Sequence, residues 1–182
     1  TANSITVSNT QGSGVVLGGT DPSLLVISES NILNSTQSGV VDDGNGSITI
    51  QGSNILGSTG SGLQTTANST GSINIINTTI NGDDPTTLEN TEVGQNGIFM
   101  GGDTAVSMTV LDTDGNPVTS ISNNGNYIAN FENGVQVLGN ATFAMTDGTI
   151  TDMSDTGIIL NPSAPTSTAP TGTSPSWAAL FA

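Results

Sequence analysis

One stretch of this chain returns almost a hundred residues later. The run Ser47 to Leu63, SITIQGSNILGSTGSGL, is echoed by ATFAMTDGTITDMSDTGI at Ala141 to Ile158. Ile48, Ile50, Ile55 and Leu63 in the first share their relative spacing with Phe143, Met145, Ile150 and Ile158 in the second. A unit this short cannot bury its apolar residues alone. Copies stacked on one another can, so the chain reads as a repeat protein.

Aligned on itself, the sequence yields units beginning near Ile5, Leu24, Ile48, Ile73, Met108 and Phe143. Ser30-Asn31-Ile32-Leu33 recurs as Ser53-Asn54-Ile55-Leu56, and Gly46-Ser47-Ile48 recurs as Gly71-Ser72-Ile73. Each unit reads as three short strands: an alternating apolar-x-apolar, a turn, a second apolar residue, and a Gly-apolar step that opens the third. This predicts an all-β solenoid of about six coils, with each strand pairing to its equivalent roughly 4.8 Å away. Asn and Gly suit the tight corners because they tolerate positive φ. Gly14 and Gly97, in the related blocks GVVLGG and GIFMGG, are expected at such corners rather than in ligand loops. The solenoid is expected over 1–160, with a loop insertion at 83–95 where DDPTTLENTEVGQ breaks the rhythm. A Pro/Thr-rich tail follows over 161–182.

Composition removes whole classes of function. The 182 residues hold 15 acids and no Lys, Arg, His or Cys, for a formal net charge of −15. No side-chain salt bridge can form, and phosphate backbones would be repelled, which excludes nucleic acid as a partner. Anionic membrane surfaces are disfavoured in the same way. No apolar stretch approaches the roughly 20 residues of a membrane-spanning helix, so membrane insertion is not expected. The chain opens at Thr1 without a signal-type apolar run and reads as a mature, processed or excised segment.

The catalytic inventory is equally thin. A Ser nucleophile has no His or Lys base, and a His/Cys zinc site cannot be built. A carboxylate-only polysaccharide hydrolase survives as a minor reading, with Asp42-Asp43 and Asp83-Asp84 as candidate pairs. These aspartates read more simply as solvated turn residues, and the chain is expected not to be an enzyme. Calcium suits an acidic chain better, and Asp112, Asp114 and Asn116 present alternate oxygen ligands around Gly115. A tight turn is the competing reading of that loop. Five Asn-x-Ser/Thr acceptor sites for glycosylation stand at Asn34, Asn45, Asn68, Asn77 and Asn140. No Thr-x-Thr column recurs from coil to coil, so an ice-ordering face is not expected.

On units such as Ile48 to Leu63 and Phe143 to Ile158, the chain resembles right-handed parallel β-helix proteins of the bacterial surface. These are the autotransporter passengers, polymorphic outer membrane proteins and filamentous adhesins. The resemblance implies right-handed winding, an extracellular or cell-surface location and a part in adhesion.

From Asn161 the sequence changes to PSAPTSTAPTGTSPS and ends in Trp177-Ala178-Ala179-Leu180-Phe181-Ala182. Pro and Thr make this an extended spacer with an apolar end. Trp177, Leu180 and Phe181 are the expected anchors on a neighbouring subunit, because the open ends of a β-solenoid offer unpaired backbone groups to another chain. The reading is a self-assembling, non-enzymatic protomer of a cell-surface filament, a homopolymer held by end-to-end or tail-mediated contacts. The alternative is a monomeric adhesin passenger whose loops, chiefly 83–95, bind a receptor or glycan.

Overall fold

The structure, a computed structural model, describes residues 1–83, 94–109, 126–146 and 148–162. Among these residues the chain is all strand and connecting loop, without a helix. The first coil consists of β1 (Ala2–Asn3), β2 (Thr6–Ser8) and β3 (Val15–Gly19); the second of β4 (Leu24–Ser28), β5 (Asn31–Leu33) and β6 (Val40–Gly44). The third holds β7 (Ser47–Gln51), β8 (Asn54–Leu56) and β9 (Ser61–Thr65), and the fourth β10 (Ser72–Ile76), β11 (Thr79–Asn81) and β12 (Gly94–Met100). The fifth holds β13 (Ala105–Thr109), β14 (Tyr127–Ala129) and β15 (Phe131–Gly139), and the sixth β16 (Thr142–Met145), β17 (Thr149–Thr151) and β18 (Thr156–Pro162).

Three parallel sheets of six strands result, each strand pairing with its equivalent in the coils before and after. The first sheet runs β1-β4-β7-β10-β13-β16, the second β2-β5-β8-β11-β14-β17 and the third β3-β6-β9-β12-β15-β18. The described residues form a parallel β-solenoid of six coils.

Side-chain alternation with period two sends one face of every strand inward. In the first sheet Ile27, Ile50, Ile75, Met108 and Met145 stack in register, beside a second column of Leu25, Ile48, Ile73, Val106 and Phe143. Val7, Ile32, Ile55, Ile80, Ile128 and Ile150 form the column of the second sheet. Val15, Val40, Leu63, Ile98, Val135 and Ile158 form that of the third. In the middle coils these side chains are wholly buried, each contributing roughly 2 kcal/mol by area removed from water.

A column of glycines faces the isoleucines. A Cβ added to Gly14 or Gly134 would lie 2.5 Å from the Cγ2 of Ile32 or Ile150 in the next coil. At Gly39, Gly62 and Gly97 the clash with Ile55, Ile80 and Ile128 would be closer still. Gly14 and Gly97 are therefore equivalent, as their matching blocks suggest, but the reason is space at the entry to the third sheet and not a left-handed backbone. The left-handed corners are elsewhere: Glu29, Gly52 and Asn77 follow first-sheet strands, and Asn9, Asn34, Gly57, Asn130 and Asp152 follow second-sheet strands.

The corner between the first and second sheets is stapled by hydroxyls. Ser30 donates its backbone N–H to the Ser53 hydroxyl at 3.1 Å, and that hydroxyl donates to the Gln51 carbonyl at 2.8 Å. Ile5 N–H meets Ser30 in the same way at 3.3 Å, and Thr78 N–H meets the Asn126 side-chain carbonyl at 3.0 Å. Backbone donors left over where strands end are thus satisfied one coil away.

Two units begin elsewhere than the repeat suggested. Thr6–Ser8 pair with Asn31–Leu33, so the segment opening at Ile5 belongs to the second sheet, and Ala2–Asn3 supply the first. Met108 pairs with Ile75, which puts Val106 opposite Ile73 as the first inward residue of the fifth coil. The Met108 misplacement preserves the inward face, because a two-residue shift does not change which side a strand residue points to, whereas the Ile5 unit moves to another sheet. Of the insertion at 83–95, residues 84–93 lie outside the described residues; Asp83 follows β11, and Gly94 and Gln95 open β12, which is paired on both sides.

Candidate functional site

The third sheet holds one polar residue that its column does not explain. Leu17, Asp42 and Thr65 are register partners in successive coils, so the Asp42 side chain points inward, and the residue is wholly buried. Neither carboxylate oxygen has a hydrogen-bond partner among the described residues. Burial pushes its pKa up to about 6, the neighbouring Asp43 charge adds to the rise, and the Gly44 N–H and the Ser69 hydroxyl oppose it. These two groups lie near the carboxylate without meeting hydrogen-bond geometry; the Ser69 hydroxyl instead donates to the Asp42 carbonyl at 2.5 Å.

Asp43 points the other way. It is exposed and accepts from the Thr66 hydroxyl at 2.5 Å and the Asn68 side-chain amide at 3.2 Å. Those bonds hold its carboxyl below the usual value. The two carboxylates therefore sit on opposite faces of one strand, whereas glycoside hydrolysis needs both to face one substrate. Neither is simply a solvated turn aspartate, since both lie within β6. The signal was present in the sequence: counting alternation from Val40 inward and Val41 outward sends Asp42 into the core. Of the other candidate pair, Asp83 follows β11 and Asp84 lies outside the described residues, so the pair is not tested.

The corner from the third sheet back to the first forms an amide-rich ridge. Asn68 bonds Asp43, Thr70 donates to the Asn45 side chain at 2.8 Å, and Asn140 donates to Asp103 at 3.0 Å. Three of the five glycosylation acceptors, Asn45, Asn68 and Asn140, are exposed along this ridge. Asn34 and Asn77 occupy the two other corners, half-buried and with positive φ. A shallow groove of ≈ 300 Å³ crosses the corner between the second and third sheets, lined by Asn9, Asn34, Ser35, Thr36, Gly57 and Thr59. Asn9, Asn34, Ser35, Thr36 and Thr59 bring amides and hydroxyls to a lining that is otherwise apolar.

Among the described residues, all three sheets run from β1, β2 and β3 in the first coil to β16, β17 and β18 in the sixth. Ile158 and Leu160, in the inward columns of the sixth coil, are exposed, as is Ile5 beside β2, whereas the exposed Val16 and Leu24 point outward from the sides of the stack. Among the described residues no group of three or more His, Cys, Asp or Glu side chains comes together. The calcium candidates Asp112, Asp114 and Asn116 and the docking candidates Trp177, Leu180 and Phe181 lie outside the described residues.

No protein-family model, curated protein or solved structure matches this chain.

Proposed function

We propose that the chain is a non-enzymatic structural protein, the self-assembling protomer of an extracellular filament that serves adhesion, wound as a right-handed β-helix. The observation that carries this reading is the stacking of in-register parallel sheets whose inward columns, among the described residues, are left exposed at Ile158 and Leu160 in the sixth coil. Such an edge is a template for further strands. The division of the one complete carboxylate pair between the two faces of β6 weighs against hydrolysis. Trp177, Leu180 and Phe181 are proposed as a tail anchor on the neighbouring subunit, and Asp112, Asp114 and Asn116 as a calcium loop.

A second reading rests on the corner groove. Its amides and hydroxyls are donors and acceptors suited to a glycan, which is what a monomeric adhesin passenger would bind.

Electron microscopy of the purified chain at neutral pH, with calcium and with chelator, separates the two. Regular filaments without added ligand are the expected result, together with surface labelling of the source cells by antibody. Dispersed short rods that bind glycans would overturn the structural reading. Removing residues 163–182 then parts the two modes of assembly, because only tail-mediated polymers are lost.

A further inference from the structure

Asn is followed directly by Gly at Asn45, Asn81, Asn96, Asn124 and Asn133. The pair is chemically labile, because glycine has no Cβ to shield its backbone nitrogen from the preceding Asn side chain. Asn124 lies outside the described residues, and the fold treats the other four differently. Asn96 and Asn133 lie inside β12 and β15, which are paired on both sides, and Asn96 is buried. The Gly82 N–H donates to the Ala129 carbonyl at 2.9 Å, and the Asn81 side chain accepts from Asn130 and from the Asp83 N–H. Asn45 and Gly46 both sit between strands, in the turn from β6 to β7. There Asn45 is exposed, and the Gly46 N–H donates to no partner among the described residues.

We propose that Asn45 is a site of spontaneous modification, where ring closure onto Gly46 converts the amide with time into aspartate and isoaspartate. The Gly46 nitrogen attacks Cγ of Asn45, the new N–Cγ bond closes a succinimide, and the Cγ–Nδ2 bond breaks. Nδ2 leaves as ammonia, taking up by way of water the proton that the Gly46 nitrogen gave up. Water then opens the ring, at Cγ to give aspartate or at the main-chain carbonyl to give isoaspartate. Water is consumed, ammonia is released, and nothing is oxidised or reduced. The Thr70 hydroxyl donates to Oδ1 of Asn45 at 2.8 Å, the atom on which negative charge develops as the nitrogen adds, and a donor placed there lowers the barrier. At Asn81, Asn96 and Asn133 the backbone must first leave its pairing with the neighbouring coils, which gives up hydrogen bonds.

The repeat explains the glycine but not the asparagine. A Cβ at Gly46 would lie 2.5 Å from Cδ2 of Leu17, and Gly71 fills the same place one coil on, yet the residue before Gly71 is Thr70. The labile pair is therefore a property of one corner. Either product adds a negative charge to the ridge that holds Asp43, in a chain of net charge −15 with no basic side chain to offset it. Isoaspartate also adds a methylene to the main chain. At that point Asn45 N–H is bonded to the Gly19 carbonyl at 3.1 Å and Ser47 N–H to the Ser23 carbonyl at 2.7 Å, so the longer chain loosens the joint with the coil before it.

The test follows the full-length chain over time at mildly alkaline pH, native and in urea. Trypsin finds no Lys or Arg to cut, so the readout is mass spectrometry of pepsin peptides, with isoaspartyl methyltransferase labelling to separate the two products. In the native chain Asn45 is expected to convert roughly tenfold faster than Asn81, Asn96 or Asn133, the effect of one backbone hydrogen bond on a barrier. In urea the four sites should converge. Asn45→Gln should abolish the early product, since its longer side chain cannot close the same ring. Thr70→Val, at an exposed position, should slow the native reaction several-fold, and Thr70→Ser should restore it. A native chain in which Asn45 converts no faster than the other three, or a preference for Asn45 that persists unchanged in urea, overturns the inference. Conversion of Thr70→Val at the parent rate rejects the part given to the hydroxyl.

Discussion

Gly39 carries no side chain because the Cγ2 methyl of Ile55, one coil on, occupies the space a Cβ would need. Gly39→Ala and Gly62→Ala are therefore expected to cost about 1–3 kcal/mol each by overpacking. Gly157→Ala, whose added methyl meets nothing within 4 Å among the described residues, should stay within about 0.5 kcal/mol of the parent. Urea denaturation of the three variants checks the contrast, and equal losses at all three sites would refute the packing argument.

Asp42 gives the fold a pH dependence of unusual sign. Its folded pKa, about 6, lies above the 3.8 of the unfolded chain, so folding takes up a proton between those values. Its contribution to stability is most favourable below pH 3.8 and is lost as pH rises through 6. At roughly 1.4 kcal/mol per pH unit, the penalty at neutral pH is about 3 kcal/mol. Asp42→Asn should be more stable than the parent at pH 7 and should lose most of that advantage by pH 4. Denaturation curves at both values test this; a difference independent of pH would place the carboxylate in contact with solvent.

The inward columns, the three-strand unit and the six coils were legible because Ile, Val, Gly and Ser recur at fixed offsets. The two shifted unit starts were not. Met108 offered an apolar-x-apolar start, MTV, two residues late, and only the pairing of Val106 with Ile73 decides between starts of the same parity. The buried carboxylate escaped notice for a different reason: Asp42-Asp43-Gly44 has the composition of a turn, and local composition outweighed the alternation running through Val40 and Val41. The exposed ridge of Asn45, Asn68 and Asn140 could be assembled only once the coils were stacked.

Ser53 serves two neighbours at once, accepting from Ser30 N–H and donating to the Gln51 carbonyl. Ser53→Ala leaves a buried N–H without a partner, at an expected cost of about 1–3 kcal/mol. Ser53→Thr should retain most of the stability, because Thr78 stands at the equivalent corner of the next coil and donates to the Ile76 carbonyl in the same manner. Thermal melts of both variants suffice, and a Thr variant as damaged as the Ala variant would contradict the equivalence.

A chain with 15 acids and no basic side chain has almost only repulsive charge interactions to screen. Its melting temperature should climb with sodium chloride between low and physiological ionic strength, where the screening length falls from about 30 Å to about 8 Å. A melt that fell on adding salt would require attractive pairs that the composition does not supply.

The backbone hydrogen bonds that pair strands of successive coils run along the stack, so a pull along it loads the three sheets side by side. The thinnest joint is the first: β1 meets β4 only through Ala2–Ile27 and Asn3–Ser28, whereas β15 holds β18 from Asn133 to Gly139. Under tension from the N-terminal side the coils should come away one at a time in order, which single-molecule stretching would record as a sawtooth. A stack that opens in this way lengthens under load and dissipates work before it parts.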